Sequence, residues 1–362
     1  QAMDARRTHW AQFWTHMREH HDVKKLCCDL ACAASKQAVD VITGAHLRAA
    51  LKRYPVKKSK GGDHWAVSEI KSLPLEILDK FGGHLSKSQS TGTWPIQMLW
   101  NLMPALGKTV GERCVAKTPM WYRAWCLHRR PIVKEWEKSV MEPYDTAAAG
   151  MSAKHAALRR GVAAEVATRT GKEFGALLWD LEKFFDHVSP QLLVQRAMDN
   201  NFPVTDLALG IQQHLAPRVI QVGHFCARMM LVMRSVLPGC SLAIPFTRAF
   251  LRKPMTEVCV VSPLRPDVYV DDITQTAAGQ WGEVATQLID GGLALVKRTH
   301  GSMLKMSGKS VVVASLVKAA KAIVQALGEH GVSIRLARSA RDLGVVFSPG
   351  KRSCSLLGSR LA

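Results

Sequence analysis

Two apolar runs that end in carboxylates constrain this chain more than anything else in it. The first is Gly175-Ala176-Leu177-Leu178-Trp179-Asp180, followed by Leu181-Glu182-Lys183-Phe184-Phe185-Asp186. The second is Val268-Tyr269-Val270-Asp271-Asp272-Ile273. Both read as buried strands, being short and rich in apolar, β-branched or aromatic residues. An ionised carboxylate beside a buried strand is costly unless it is paired or bound to a cation. Two such strands in one sheet would set like charges against each other. A divalent metal resolves the conflict, because carboxylate oxygens are hard donors that suit it. Two such ions about 3.5–4 Å apart activate an attacking hydroxyl and stabilise a leaving oxygen. Each run also has a plainer reading on its own. An Asp-Asp pair is commonly a solvated turn, and Asp180 alone can cap a helix or pair with Lys183.

The charge balance points to a partner. Lys and Arg number 49 against 29 Asp and Glu, a formal net charge of +20 over 362 residues. Such a surplus favours a polyanion, most simply nucleic acid. Binding of that kind weakens steeply with salt. At 47% hydrophobic residues, the composition excludes a disordered chain. No run of about 18 apolar residues is present, so no membrane span is expected. The start, Gln1 to Arg18, mixes charge, His and Trp and does not read as a secretory signal. It lacks an initiating Met and reads as a cut from a longer product, with Met3 as an alternative start. The nine cysteines are scattered. The densest group, Cys27, Cys28 and Cys32, has only His46 as a weak fourth ligand. These read as reduced intracellular thiols rather than a zinc site.

Along the chain, residues 1–60 read as helical and basic, ending in Arg53, Lys57, Lys58 and Lys60 before the break at Gly61-Gly62. A helix is expected after Pro74, and a polar loop from Ser86 to Trp94. Met151 to Arg169 reads as an Ala-rich helix carrying Lys154, Arg159 and Arg160. Gly175–Asp180 and Ser310–Ser315 read as strands. Ser189 caps a helix whose first residue is Pro190. Further helices are expected at about 190–200, 240–255, 281–299 and 316–329. Thr256–Ser262 and Asp267–Thr274 read as a hairpin about Pro263 and Pro266. A terminal hairpin is expected from Gly344–Phe347 and Ser353–Leu357 about Pro349-Gly350. Interleaved strands and helices, some joined too briefly for parallel crossovers, indicate an α+β fold with an antiparallel sheet.

These residues resemble a known family. Asp180, with Phe185-Asp186 after it, resembles the first palm motif of reverse transcriptases, and Tyr269-Val270-Asp271-Asp272 their Tyr-x-Asp-Asp motif. Leu237-Pro238-Gly239-Cys240-Ser241-Leu242-Ala243 resembles the loop that supports template and incoming nucleotide. Leu304-Lys305-Met306-Ser307-Gly308-Lys309-Ser310 resembles the motif whose lysine lies near the nucleotide. Arg341-Asp342-Leu343-Gly344-Val345-Val346-Phe347 resembles the Leu-Gly strand that grips the primer in non-LTR retrotransposon enzymes. Trp94-Pro95, Lys108, Arg113, Thr118-Pro119 and Tyr122-Arg123 resemble the fingers. The motif order matches over roughly residues 64–348 and is most similar to the non-LTR (LINE-like) or group II intron-like type.

The resemblance implies a right-hand polymerase, with a thumb missing or truncated. Its parts would be a basic helical extension (1–63), fingers (64–170), palm (171–340) and a primer-grip-like hairpin (341–362). It implies an RNA-directed DNA polymerase, a nucleotidyltransferase that uses RNA template, DNA primer and dNTPs. Two Mg²⁺ ions, with Mn²⁺ as an alternative, would be held by Asp180, Asp271, Asp272 and the Leu181 carbonyl. Lys108, Arg113 and Lys309 would meet the triphosphate, and Gly239 would admit the template backbone. Phe185 would lie under the sugar, where a ring excludes a ribose 2′-hydroxyl and favours deoxynucleotides. Tyr269, Leu343 and Gly344 would contact primer and template. Trp94, Trp100, Trp121, Trp125 and Trp136 are either base-stacking or core residues. An intracellular site is implied, and by analogy a nuclear one if the source is eukaryotic. Two departures stand out. Pro238 takes the place of the family's Gln, and Arg113-Cys114-Val115 stands for Arg-Pro-Ile. They favour, as alternatives, a decayed copy that serves as an RNA-binding scaffold. An RNA-dependent RNA polymerase is a third reading, opposed by Phe185 and Tyr269.

Overall fold

The structure, a computed structural model, describes residues 2–15, 22–108, 111–148, 150–280 and 282–349. Its first helices are α1 (Ala2–Trp14), α2 (Val23–Ser35), α3 (Gly44–Leu51), α4 (Val67–Ser72) and α5 (Leu75–Thr91). Strands β1 (Asn101–Gly107) and β2 (Glu112–Cys114) precede α6 (Met120–Ser139) and α7 (Ala153–Arg169). Next come β3 (Glu173–Trp179), α8 (Phe184–His187), α9 (Pro190–Asp199) and α10 (Val204–Leu215). Strands β4 (Arg218–Val222) and β5 (Phe225–Cys226) lead to α11 (Ala243–Val261), β6 (Pro266–Tyr269) and β7 (Asp272–Gly279). The chain continues through α12 (Glu283–His300), β8 (Val311–Ala314) and α13 (Val317–Glu329). It closes on β9 (Arg335–Leu336), β10 (Ala340–Asp342) and β11 (Val345–Phe347). The fold is mixed, with helices and small sheets in the α+β manner.

Two compact units are formed, each from two stretches of chain. One comprises Gln1–Val140 with Phe185–Phe250, the other Met141–Phe184 with Leu251–Ala362.

The first unit is mainly helical, with a four-stranded sheet in the order β2-β1-β4-β5. Strands β1 and β4 run parallel, and β1 and β2 form an antiparallel hairpin. Its core is aromatic: Trp94, Trp121, Trp125 and Trp136 are all buried. For three of them a satisfied indole N–H is part of the reason, while Trp121 is held by stacking on Phe81 at 3.7 Å between ring centroids. Trp94 donates to the Leu209 carbonyl at 2.9 Å, Trp125 to Gln89 Oε1 at 3.1 Å and Trp136 to the Asn200 carbonyl at 2.9 Å. These four are packing residues. Trp100 packs close against Gly62.

The second unit is built on a five-stranded sheet in the order β6-β7-β3-β8-β9. All its pairings are antiparallel except β8 with β9. Strand β3 is buried on both faces, which is why it reads as a continuous apolar run. Leu177 and Trp179 lie on the α12 side, close to Gly292. Phe174 and Ala176 lie on the other, in a cluster with Ala164 and Ala167 of α7, Val313 and Phe347. Trp179 Nε1 donates to buried Gln275 Oε1 at 2.9 Å, and Gln275 Nε2 donates to the Gly291 carbonyl at 2.9 Å. That chain ties β3 and β7 to α12.

Several expected elements are present: the Ser189-Pro190 helix start, with Ser189 Oγ accepting from Leu192 N, the Ala-rich α7 and the central strands. Three expectations need correction. The expected loop from Ser86 is helical as far as Thr91. Ser86, Ser88 and Thr91 turn their hydroxyls back onto helix carbonyls, so the polar run caps itself from within. Gly92 then ends the helix at φ 64°. Thr256–Val261 is the end of α11 rather than a strand. Buried Phe250, Met255 and Val258 sit at helical rather than alternating spacing. The hairpin therefore lies in β6-β7, with Val270-Asp271 as its turn. The last described hairpin is β10-β11, turning at Leu343-Gly344. The Ser353–Leu357 arm that the sequence suggested falls outside the described residues, as does Gly350. Among the described residues no helix is long and apolar enough to cross a membrane.

Candidate functional site

The carboxylates are positioned by strand register. In the β3-β7 pairing the last matched pair is Trp179 with Ile273. One more step along the same register sets Asp180 opposite Asp272. On the other side of β3, Leu178 pairs with Val311. Beyond Leu178 that register is not kept: Leu181 bridges Met306, so Asp180 faces Ser307, and Lys309 lies in the turn that follows. The central strand therefore delivers Asp180 opposite an acid on one neighbour and beside the Ser307-Gly308-Lys309-Ser310 turn on the other.

The chain just beyond β3 is fixed by backbone groups. Asp180 N donates to Ser310 Oγ at 3.2 Å. Ser307 N donates to the Asp180 carbonyl at 2.7 Å, and Glu182 N to the Lys305 carbonyl at 2.9 Å. Leu181 is buried and bridged to Met306. The segment resembling the nucleotide-proximal motif is thus bonded directly to the segment carrying Asp180.

Asp271 sits in the two-residue turn between Tyr269 and Asp272, which pair with each other. Val270 takes φ 61° there, while Asp271 is not among the positive-φ residues. That is the pattern of a type II′ hairpin turn, whose first central position normally holds Gly. A β-branched residue at positive φ is an outlier of the sort that persists only where its surroundings impose it.

A cavity of about 450 Å³ opens beside these groups. Asp180, Asp272, Thr274, Lys309, Arg335, Arg341, Asp342 and Leu343 are among its lining residues. Asp272 is exposed by surface area, yet the surrounding protein dehydrates its carboxyl. That dehydration comes first, the charges of Asp271, Asp180 and Asp342 second, and Arg160 opposes them. Together they push the Asp272 pKa up to about 6. The repulsion between acids foreseen from the sequence is therefore present.

Arg160 on α7 supports this face. It is buried, and its Nε and Nη2 donate to the two oxygens of buried Asp342, each at 2.7 Å. Its Nη1 donates to Asp267 Oδ2 at 2.6 Å. Asp267 lies on β6, and Asp342 immediately precedes Leu343. Leu343 and Gly344 take φ 48° and 82°, so the turn after Asp342 is a two-residue turn of the I′ kind.

The oxygen-donor set suits a hard divalent cation, and crowded carboxylates are what such a cation relieves. Among the described residues, though, no group of three or more His, Cys, Asp or Glu is gathered closely enough to hold a metal unaided. This also covers Cys27, Cys28, Cys32 and His46, and those three cysteines are free.

The expected site residues therefore divide. Asp180, Asp272, Lys309 and Leu343 share one cavity, with Asp271, Tyr269 and Gly344 on its adjoining turns. Lys108, Arg113, Phe185 and Gly239 belong to the first unit. Lys108 and Arg113 are exposed on the β1-β2 hairpin, where Lys108 N donates to the Gly111 carbonyl at 3.0 Å. The Pro238 carbonyl accepts from Ala116 N at 2.8 Å. A Cβ on Gly239 would stand 2.8 Å from Val115 Cγ1. The Pro238-Gly239 turn is thus seated against Val115 and Ala116, which follow β2. Phe184 is buried and Phe185 half-buried, so Phe184 is the core member of the pair.

Sequence reasoning missed Arg160, Arg335, Arg341 and the Asp267–Asp342 pair. Arg160 lies in a helix rich in Lys and Arg, where each cation reads as solvated. No protein-family model matches this chain, and no curated protein matches it significantly.

Proposed function

We propose that this chain is an RNA-directed DNA polymerase of the non-LTR retroelement type. It would add deoxynucleotides to a primer 3′ end on an RNA template. The observation that carries the reading is the register of the central sheet. It sets Asp180 at the end of β3 opposite Asp272 in the Tyr269-Val270-Asp271-Asp272 hairpin, with Lys309 lining the same cavity.

Asp180, Asp271 and Asp272 would hold the metal, with the Leu181 carbonyl as a further oxygen. Two Mg²⁺ ions, when bound, activate the attacking hydroxyl and stabilise the leaving oxygen. The nucleotide phosphates would supply the oxygens that these residues do not. Lys309 would neutralise phosphate charge beside Asp180. Lys108 and Arg113, as exposed cations, fit contact with a triphosphate or a strand. The half-buried ring of Phe185 fits exclusion of a 2′-hydroxyl. The net charge of +20 suits an RNA–DNA partner.

Primer extension on an RNA template, with dNTPs and Mg²⁺, tests the proposal. Wild type should extend, and Asp271→Asn should lose at least about a hundredfold in rate, as loss of a major electrostatic contribution does. No extension by wild type, or unchanged extension by Asp271→Asn, sinks it. Pro238 favours a second reading, an RNA-binding scaffold that no longer polymerises. RNA binding without any Mg-dependent incorporation would select that reading.

A further inference from the structure

The cavity beside Asp180 and Asp272 holds more positive charge than the sequence motifs account for. Arg335 and Arg341 line it together with Lys309. Among the described residues, none of these three cations forms an ion pair. Asp342, which shares the cavity, is engaged by Arg160. Acids and bases therefore face one space without neutralising each other.

Arg335 is the best placed of the three. Strand β9 runs parallel to β8, with Arg335 matched to Val311. Its backbone N–H donates to the Ser310 carbonyl at 2.9 Å, and its Nη2 to the Lys309 carbonyl at 3.3 Å. These bonds anchor the guanidinium against the main chain of Lys309, which lines the cavity together with Asp180. A guanidinium has five N–H donors in a planar fork. One bond to a carbonyl leaves most of them available.

We propose that Arg335 is a phosphate-binding residue of this cavity, acting beside Lys309 on a ligand whose cation meets Asp180 and Asp272. The ligand's identity as a nucleotide or nucleic-acid strand rests on the polymerase reading. The chemistry is complementary in both halves. The carboxylates attract a divalent cation, and the fork of Arg335 matches two phosphate oxygens, which a lysine cannot do. The phosphate belongs either to a nucleoside triphosphate or to the backbone of a strand.

The test uses the full chain as wild type, Arg335→Ala, Arg335→Lys and, as a control for simple charge loss, Lys321→Ala. Lys321 is exposed on α13 and does not line the cavity. Fluorescence anisotropy reads binding of labelled dTTP with Mg²⁺ and, separately, of a labelled RNA–DNA duplex. Arg335→Ala should weaken one of the two about tenfold or more, the size of a lost charge-assisted bond. Arg335→Lys keeps the charge but not the fork, so it should weaken the same probe by roughly threefold. Lys321→Ala should change both by less than about twofold. A loss confined to dTTP makes the phosphate a triphosphate's. A loss confined to the duplex, with the log–log salt slope reduced by about 0.7 to 0.9, makes it a strand's. Binding by Arg335→Ala and Arg335→Lys equal to that of Lys321→Ala overturns the proposal, as does a wild type that binds neither probe. Failure of the polymerase reading is separate: wild type would not extend a primer, yet the Arg335 losses would persist.

Discussion

Arg160 grips Asp342 with two parallel bonds of 2.7 Å, and both side chains are buried. With its third bond, to Asp267, the arginine links α7, β6 and β10 on the face that carries the cavity. Burying an arginine is costly, and here two carboxylates offset the cost. Arg160→Met removes the shared partner and leaves both acids, so it should lower unfolding free energy by about 3–5 kcal/mol. Asp342→Leu added to Arg160→Met should recover part of that loss, since the double variant leaves fewer buried charges. Urea denaturation of the three proteins measures it. A loss below about 1 kcal/mol in Arg160→Met would show that the pair behaves as a solvated one.

The turn that presents Asp271 is strained at Val270, whose φ is 61°. Such a conformation costs on the order of 1–3 kcal/mol for a residue with a branched Cβ. Glycine removes that cost and adds about 0.5–1 kcal/mol of backbone entropy loss on folding. Val270→Gly should therefore raise stability slightly, by about 1 kcal/mol, while the freer turn lowers primer extension. Thermal unfolding and extension rates on the same preparation read both halves. A clear fall in melting temperature would mean that the valine is not strained.

Much of the second unit was legible because its signals are local. Strand β3 announces itself as an apolar run, and in the first unit the Ser189-Pro190 start is likewise a single capping event. The opposition of Asp180 and Asp272 followed from placing two strands on one sheet. What stayed hidden depends on contacts distant in sequence. Arg160 and Asp342 are 182 residues apart, and nothing near either names the other. Ser86 to Thr91 looked like a loop because side-chain bonding back to helix carbonyls leaves no trace in composition. The end of α11 looked like a strand because β-branched residues there obey helical spacing only when the neighbouring turn is counted. Both units draw on two separate stretches of chain, which a linear reading has no means to foresee.

Gly239 holds a position no other residue fits well. Its φ is 91°, and an added Cβ would stand 2.8 Å from Val115 Cγ1. Gly239→Ala therefore combines an unfavourable backbone with overpacking, and should cost about 2–4 kcal/mol. Val115→Ala in the same chain relieves only the overpacking, so the double variant should recover roughly 1 kcal/mol. Equal stability of Gly239→Ala and wild type would mean that the turn relaxes freely. That outcome would also weaken the case for Pro238-Gly239 as a fixed support.

His214 gives the first unit a defined response to pH. It is buried, its Nδ1 accepts from Leu237 N at 3.4 Å, and its Nε2 has no partner among the described residues. Burial first, and the charge of Arg218 second, lower its pKa to about 3. The unfolded chain has the ordinary value near 6.5 and takes up the proton first on acidification. Stability from neutral His214 is therefore fully present above about pH 6.5 and is lost as pH falls toward 3. The slope approaches about 1.4 kcal/mol per pH unit. Between pH 7.5 and pH 5 the loss should be roughly 2 kcal/mol. His214→Gln cannot titrate, so it should lose that much less over the same interval. Denaturant unfolding of both proteins at the two pH values gives the difference, and every other titrating group cancels in it. Parallel losses in the two proteins would place His214 in contact with water or with an acid, and would remove it as the cause.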